Sequence, residues 1–399
     1  MSATTAHRSA RSRRLLPLMA RRHPHEPHRT ATPLELLFDL VFVVAVAFAG
    51  RSLLGYEEEG HLAVGILGYA MAFAAIWWAW MNFTWFATSY DTDDWYYRIL
   101  TIVQMGGALT FAAGIPGIAN PEHPDFTLGV TGYLIMRLAM VAQWLRAAAS
   151  DAVGRKTALA YAIGITVVQV YWVIYALTLP PGATVALFWL GMALELSVPV
   201  VAERFKLTEW HRHHITERYS GFTIIVLGES ILAAATAVAE VRKEADPAGI
   251  VLIAVTGLVI VASMWWIYFA LPQHELLTNL RQGLFWGYGH FVVFASAAAV
   301  AGGIEISLLT EQHHLDALSS VEAAATLTVP VALYVLMVWL LVVRPQSTLP
   351  THLLMPLAAV LIGFSAFLPG SAQITAGVLV ALVAFLTIHT VPHRTKHLD

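Results

Sequence analysis

Twelve apolar runs follow one another through this chain, each close to the roughly 20 residues that a helix needs to cross a bilayer. They occupy residues 34–54, 62–86, 98–116, 127–146, 158–179, 183–202, 219–239, 248–271, 283–309, 323–343, 352–368 and 371–391. In lipid a lone strand cannot satisfy its backbone, so each run reads as a helix. Charged residues make up only 12% of the chain, about half the share of a soluble domain. The expectation is an all-α polytopic membrane protein of about twelve transmembrane helices, with no room for a sizeable soluble domain. Pro369-Gly370 separates the last two runs and reads either as a tight outer turn or as a break in one re-entrant unit.

Charge fixes the orientation. With the N-terminus inside, 19 of the 23 Lys and Arg residues fall in cytoplasmic segments, among them Arg98, Arg146, Arg204, Arg218, Arg281 and Arg344. The outer segments hold Arg51, Arg242 and Lys243, with Glu57, Glu58, Glu59 and Asp316 beside them, and Arg137 lies within a span. This is the positive-inside pattern of a plasma-membrane protein with both termini cytoplasmic. Residues 1–30, rich in Arg, His and Pro with no hydrophobic period, read as a disordered basic tail. Residues 203–218 read as a cytoplasmic connecting loop and 392–399 as a C-terminal tail.

The two halves echo each other. Ile76-Trp77-Trp78-Ala79-Trp80 reappears as Met264-Trp265-Trp266-Ile267-Tyr268, and Asp39 precedes the first pair much as Glu229 precedes the second. Six is an even number of spans, so residues 31–202 and 219–391 are expected to be parallel six-helix repeats, as in several transporter folds.

Two signatures open these halves. Thr32-Pro33-Leu34-Glu35-Leu36-Leu37-Phe38-Asp39-Leu40-Val41-Phe42-Val43 and Glu217-Arg218-Tyr219-Ser220-Gly221-Phe222-Thr223-Ile224-Ile225-Val226-Leu227-Gly228-Glu229-Ser230-Ile231-Leu232 resemble the pattern of the bacterial low temperature requirement protein A family. The resemblance covers the chain beyond the tail and implies a membrane protein. That family is named for a growth phenotype in the cold, so no catalytic residue is carried over. The first helix alone is also similar to the opening helix of potassium channels built from six-helix repeats. Those channels have an Arg where this chain has Glu35, and a Ser before the Asp where this chain has Phe38.

A charge held within the hydrocarbon persists only if paired, hydrated or neutralised, and such residues mark function by default. Asp39, Glu229 and Arg137 are the expected polar centre, with one acid exchanging a proton or cation. Glu229 leads, because Gly228 permits close helix approach and Ser230 offers a hydrogen bond. Arg137 keeps its proton and needs Asp39, Glu195 or Glu229 as partner. Glu35, one helical turn before Asp39, suits an N-terminal helix carboxylate. His290 reads as a packing histidine first and a proton relay second. Trp77, Trp78, Trp265 and Trp266 read as interfacial anchors; the alternative is a cation–π surface.

With no cysteine, disulfides and thiolate metal sites are excluded. No metal set is complete, no nucleotide or hydrolase motif occurs, and neither a cofactor nor a nucleic-acid partner is expected. The leading expectation is a secondary transporter or ion-conducting protein that handles protons, cations or a small molecule. A membrane-embedded or lipid-modifying enzyme using the same acids is the alternative, and a structural or sensory membrane protein is the third.

Overall fold

A computed structural model describes residues 17–23, 26, 29–119, 124–178, 182–240, 247–311, 317–347 and 349–394. Among them lie twelve helices and no strand. The first six are α1 (Pro33–Glu58), α2 (Leu62–Tyr90), α3 (Trp95–Ala119), α4 (Thr127–Ser150), α5 (Arg155–Thr178) and α6 (Thr184–Ala202). The second six are α7 (Arg212–Glu240), α8 (Pro247–Tyr268), α9 (Leu280–Glu311), α10 (Ser320–Val338), α11 (Leu349–Phe364) and α12 (Ser371–Arg394). Eleven of the twelve are long and apolar enough to cross a membrane, α7 being the exception among the described residues.

Local chemistry sets the ends. Thr32 and Glu35 form a capping box at the start of α1, with Pro33 in the first turn, and Ser319 with Glu322 repeats the device at α10. Such reciprocal bonds satisfy backbone donors that a helix start otherwise leaves bare. The αL residue Gly370, at a φ of 72°, makes the tight turn before α12, a conformation that costs glycine nothing.

The helix arrangement is similar in each half. α1 packs on α3 as α7 packs on α9; α3 packs on α4 as α9 packs on α10; and α4–α5 and α5–α6 have counterparts in α10–α11 and α11–α12. The halves join where α1 meets α7 and α9, and where α2 meets α7 and α9. α2 is sheathed on all sides, with nearly every residue from Met71 to Tyr90 buried, as befits a helix apolar around its whole circumference. α8 departs from that symmetry: it packs on α12 and turns Trp265 and Trp266 outward, 44% and 48% exposed.

Three expectations need correction. α7 begins at Arg212, about two turns before the expected start at 219, so Arg218 and His214 belong to the helix and not to a loop. The stretch 17–30, expected to be disordered, is in part anchored. Met19 is buried, Arg21 pairs with Asp151 at 2.7 Å, Arg22 reaches Asp91 at 3.7 Å, and Arg29 donates to the Ala87 carbonyl at 2.7 Å. Finally, Trp77, Trp78 and Trp80 are not interfacial, being 4%, 1% and 0% exposed. Arg242, Lys243 and Asp316, and residues 1–16 of the expected tail, lie outside the described residues.

α3 and α4 approach through glycine. A Cβ at Gly132 would sit 2.2 Å from the Phe111 backbone nitrogen, and one at Gly107 would sit 2.8 Å from the Gly132 carbonyl oxygen. Small residues at such contacts let helix backbones touch. Gly132→Ala is expected to lower the thermal unfolding midpoint in detergent, at a cost of about 1–3 kcal/mol for overpacking. Gly106→Ala, which meets open space, should hold or raise that midpoint. Equal midpoints for the two variants would contradict this packing.

Candidate functional site

Two i,i+4 pairs face each other where α1 and α7 begin side by side. On α1, Glu35 and Asp39 lie one turn apart; on α7, so do His214 and Arg218. All four are 0% exposed. The Arg218 guanidinium grips Asp39 from the side, Nη2 donating to Oδ1 at 2.5 Å and Nε to Oδ2 at 3.2 Å. Its remaining nitrogen, Nη1, lies 3.1 Å from Glu35 Oε1. His214 Nε2 lies 3.1 Å from the same oxygen. Trp80 of α2 completes the shell by donating its indole N–H to Asp39 Oδ1 at 2.7 Å. Glu35 also accepts from the Thr32 backbone N–H at 2.8 Å, so it is at once the helix cap that was expected and an ion-pair partner.

A second buried pair lies within the first half. Arg137 of α4 donates to Glu195 of α6 in a short contact. Glu195 accepts three further bonds, from Trp78 Nε1 at 3.0 Å, Gln169 Nε2 at 2.9 Å and Trp172 Nε1 at 3.3 Å. Trp78 and Trp80 are two residues apart, about 200° around the helix, and so point to opposite sides of α2. One central helix therefore supplies an indole donor to each buried carboxylate.

The expected centre of Asp39, Glu229 and Arg137 is thus divided. Asp39 takes Arg218 from α7, which packs directly on α1, and Arg137 reaches across from α4 to Glu195 on α6. Glu229 joins neither pair. It is half-buried on α7 with Arg51 of α1 as its charged neighbour. Gly228 brings no helix close, since a Cβ there meets open space. Ser230 does bridge helices, donating to the Ala297 carbonyl of α9 at 3.0 Å. Trp77 packs against Tyr288 and Phe291 of α9, while Trp265 and Trp266 reach neither pair.

His290 is fully satisfied. Its Nδ1 lies 2.7 Å from the Trp286 carbonyl oxygen and its Nε2 3.0 Å from the Tyr268 hydroxyl. A carbonyl only accepts, so Nδ1 carries a proton, while the Tyr268 hydroxyl can donate to or accept from Nε2. Both ring nitrogens are thus engaged by packed neighbours. The residues missed in the sequence, Arg218 and His214, carried one usable signal: their i,i+4 spacing matches that of Glu35 and Asp39.

The sequence pattern described as "Bacterial low temperature requirement A protein (LtrA)" matches residues 30–388, from just before the α1 cap into α12. The chain belongs to this family. A protein of Rhizobium meliloti (strain 1021), described as uncharacterized, is 25% identical to this LtrA chain over 292 residues, spanning 69% of this chain and 68% of its own length.

At the end of the LtrA bundle where α1 begins, the buried ion pairs continue into the loops. Asp91, which follows α2, faces Arg22, Arg29 and Glu35. Burial first, and the Glu35 carboxylate second, push the Asp91 carboxyl up to about 6 against the opposing pull of Arg29 and Arg22. The unfolded chain releases this proton near the ordinary value of about 3.9. The contribution of Asp91 to stability is therefore full below about pH 4 and is lost as pH rises through about 6. Asp91→Asn should flatten the fall in thermal midpoint across that window. An unchanged slope would contradict the assignment.

Proposed function

We propose that this LtrA protein is a proton-coupled transporter or proton-conducting protein of the cytoplasmic membrane, with its protonation site where α1 and α7 begin. One observation carries the reading: the buried charges at that end do not balance. Three buried carboxylates, Glu35, Asp39 and Asp91, face two buried guanidiniums, Arg29 and Arg218, while Arg22 and Glu26 pair with each other at the half-exposed edge. One positive charge is lacking, and a bound proton supplies it. Asp91, pushed up to about 6 by burial and by Glu35, is the group that takes it up, and His214, seated on Glu35 but held below its ordinary value by burial, is the relay beside it. Tyr97 of α3 closes the site from a third side. Intramembrane ionisable groups in such a network mark proton relays.

Glu229 is the next station on this reading. It lies eleven residues beyond Arg218 on α7, about 16 Å further along by the helical rise, with Arg51 across from it on α1. The shared packing order of α1–α6 and α7–α12 supports two parallel six-helix repeats, the architecture of several secondary transporters. The basic residues at the N-terminal end support a cytoplasmic position for both termini. The enzyme reading is less favoured, because Asp39 and Glu195 are completely enclosed and no substrate reaches them.

The test is proton flux in liposomes carrying the full-length protein, followed with an entrapped pH-sensitive dye under imposed pH gradients and potentials. Wild type should conduct, and His214→Gln should slow it by about tenfold, the effect of roughly 1.4 kcal/mol on a barrier. Glu229→Gln should slow it as well. Absence of flux for protons, sodium and potassium under every gradient would overturn the reading. Unchanged proton flux in both variants would move conduction away from these residues.

A further inference from the structure

A cavity of about 370 Å³ opens between the two halves, at the same end as the protonation site. Its walls come from α2, α4, α5, α6 and the turn after it, and the start of α9, and six of the sixteen lining residues are aromatic. Trp144 and Tyr161 stack at 4.1 Å with their planes 5° apart. Tyr288 of α9 stands edge-on to Trp78 at 5.8 Å, and Trp85 lines the opening. The volume falls within the range of small-molecule sites, which are mostly apolar with a few placed polar groups.

The fixed charge of this cavity is negative. Glu203 is held by three neutral donors: the Tyr161 hydroxyl at 2.7 Å, the Thr208 hydroxyl at 2.8 Å and the Thr208 backbone N–H at 2.7 Å. Among the described residues no Lys or Arg forms an ion pair with it. Arg204 also lines the cavity but is exposed, so its charge can sit in water at the end of a flexible stem. Behind the wall, Trp78 donates its N–H to Glu195. That bond pushes electron density into the indole and strengthens the attraction of its face for a cation. The Tyr288 hydroxyl in the wall has no hydrogen-bond partner among the described residues, so its oxygen can turn a lone pair toward a cation.

We infer that this cavity binds a lipophilic organic cation, an amine or quaternary onium with an apolar body. Its charge lies against Glu203 and the aromatic faces, and its apolar part fills the space between α6 and α9. As the identity of a cargo, this rests on the transport reading above; as a binding site, it stands by itself.

The test is equilibrium binding of radiolabelled tetraphenylphosphonium to the purified full-length protein in detergent, with protein-free micelles subtracted. Tetraphenylborate, of similar shape and opposite charge, is the control. Wild type should bind the phosphonium saturably and the borate at least about tenfold more weakly. Glu203→Gln should cost about tenfold in affinity for the phosphonium. Because Glu203 also anchors Thr208, a second variant avoids that contact: Leu284→Trp, which fills the cavity from α9, should abolish binding. No saturable phosphonium binding, equal binding of the two ions, or full affinity in Leu284→Trp would overturn the inference. Phosphonium binding without proton flux would defeat only the transport reading, and proton flux without phosphonium binding only this one.

Discussion

A guanidinium inside a membrane bundle cannot shed its proton, and leaving it unpaired costs several kcal/mol. Arg218 is such a group, with 0% of its side chain exposed. Its answer is Asp39, 179 residues earlier in the chain, so the first helix of one half must lie beside the first helix of the other. The rest of the arrangement at that end is arranged around the contact. Glu35 takes the third guanidinium nitrogen, His214 closes on Glu35, and Trp80 fixes the Asp39 oxygen that Arg218 shares. With α1 and α7 in register, α2 is left to thread between the halves and is buried on every side.

The two buried pairs differ in what they can do. Glu195 has Arg137, two indoles and an amide, a balanced and saturated set whose role is to hold α4, α5 and α6 to α2. The network around Arg218 is one positive charge short and continues through Arg29 and Asp91 towards the N-terminal segment. A closed pair gives rigidity, while the unbalanced one near the bundle end is what the proposed proton coupling would draw on. The aromatic cavity lies on the other side of Trp78, so one residue touches both the rigid pair and the space where a ligand fits.

Much of this was legible in the chain, and the failures share a cause. Helix number and placement follow from hydropathy, because lipid thickness sets run length. Asp39, Glu195 and Arg137 stood out as charges in apolar runs. Arg218 did not, since an Arg just before an apolar run satisfies the positive-inside pattern and reads as interfacial. Only a partner on another helix reveals that it is buried, and a single sequence does not pair helices. Trp78 is hidden for the same reason: an indole at this depth suits the headgroup region until a carboxylate, here Glu195, is found at its N–H. Arg21 and Arg29 likewise had no hydrophobic period to betray their anchoring, which comes from Asp151 and the Ala87 carbonyl.

The coupling between Asp39 and Arg218 tests the account most directly. It is measured as a double-mutant cycle in the unfolding of detergent-solubilised protein, with Asp39→Asn, Arg218→Gln and the double variant. Each single change leaves a buried charge short of a partner and should cost about 3–5 kcal/mol. The double variant should be no worse than the poorer single one, giving a large coupling energy. Single effects that simply add, with no coupling between the sites, would contradict the claim that this pair holds the two halves together.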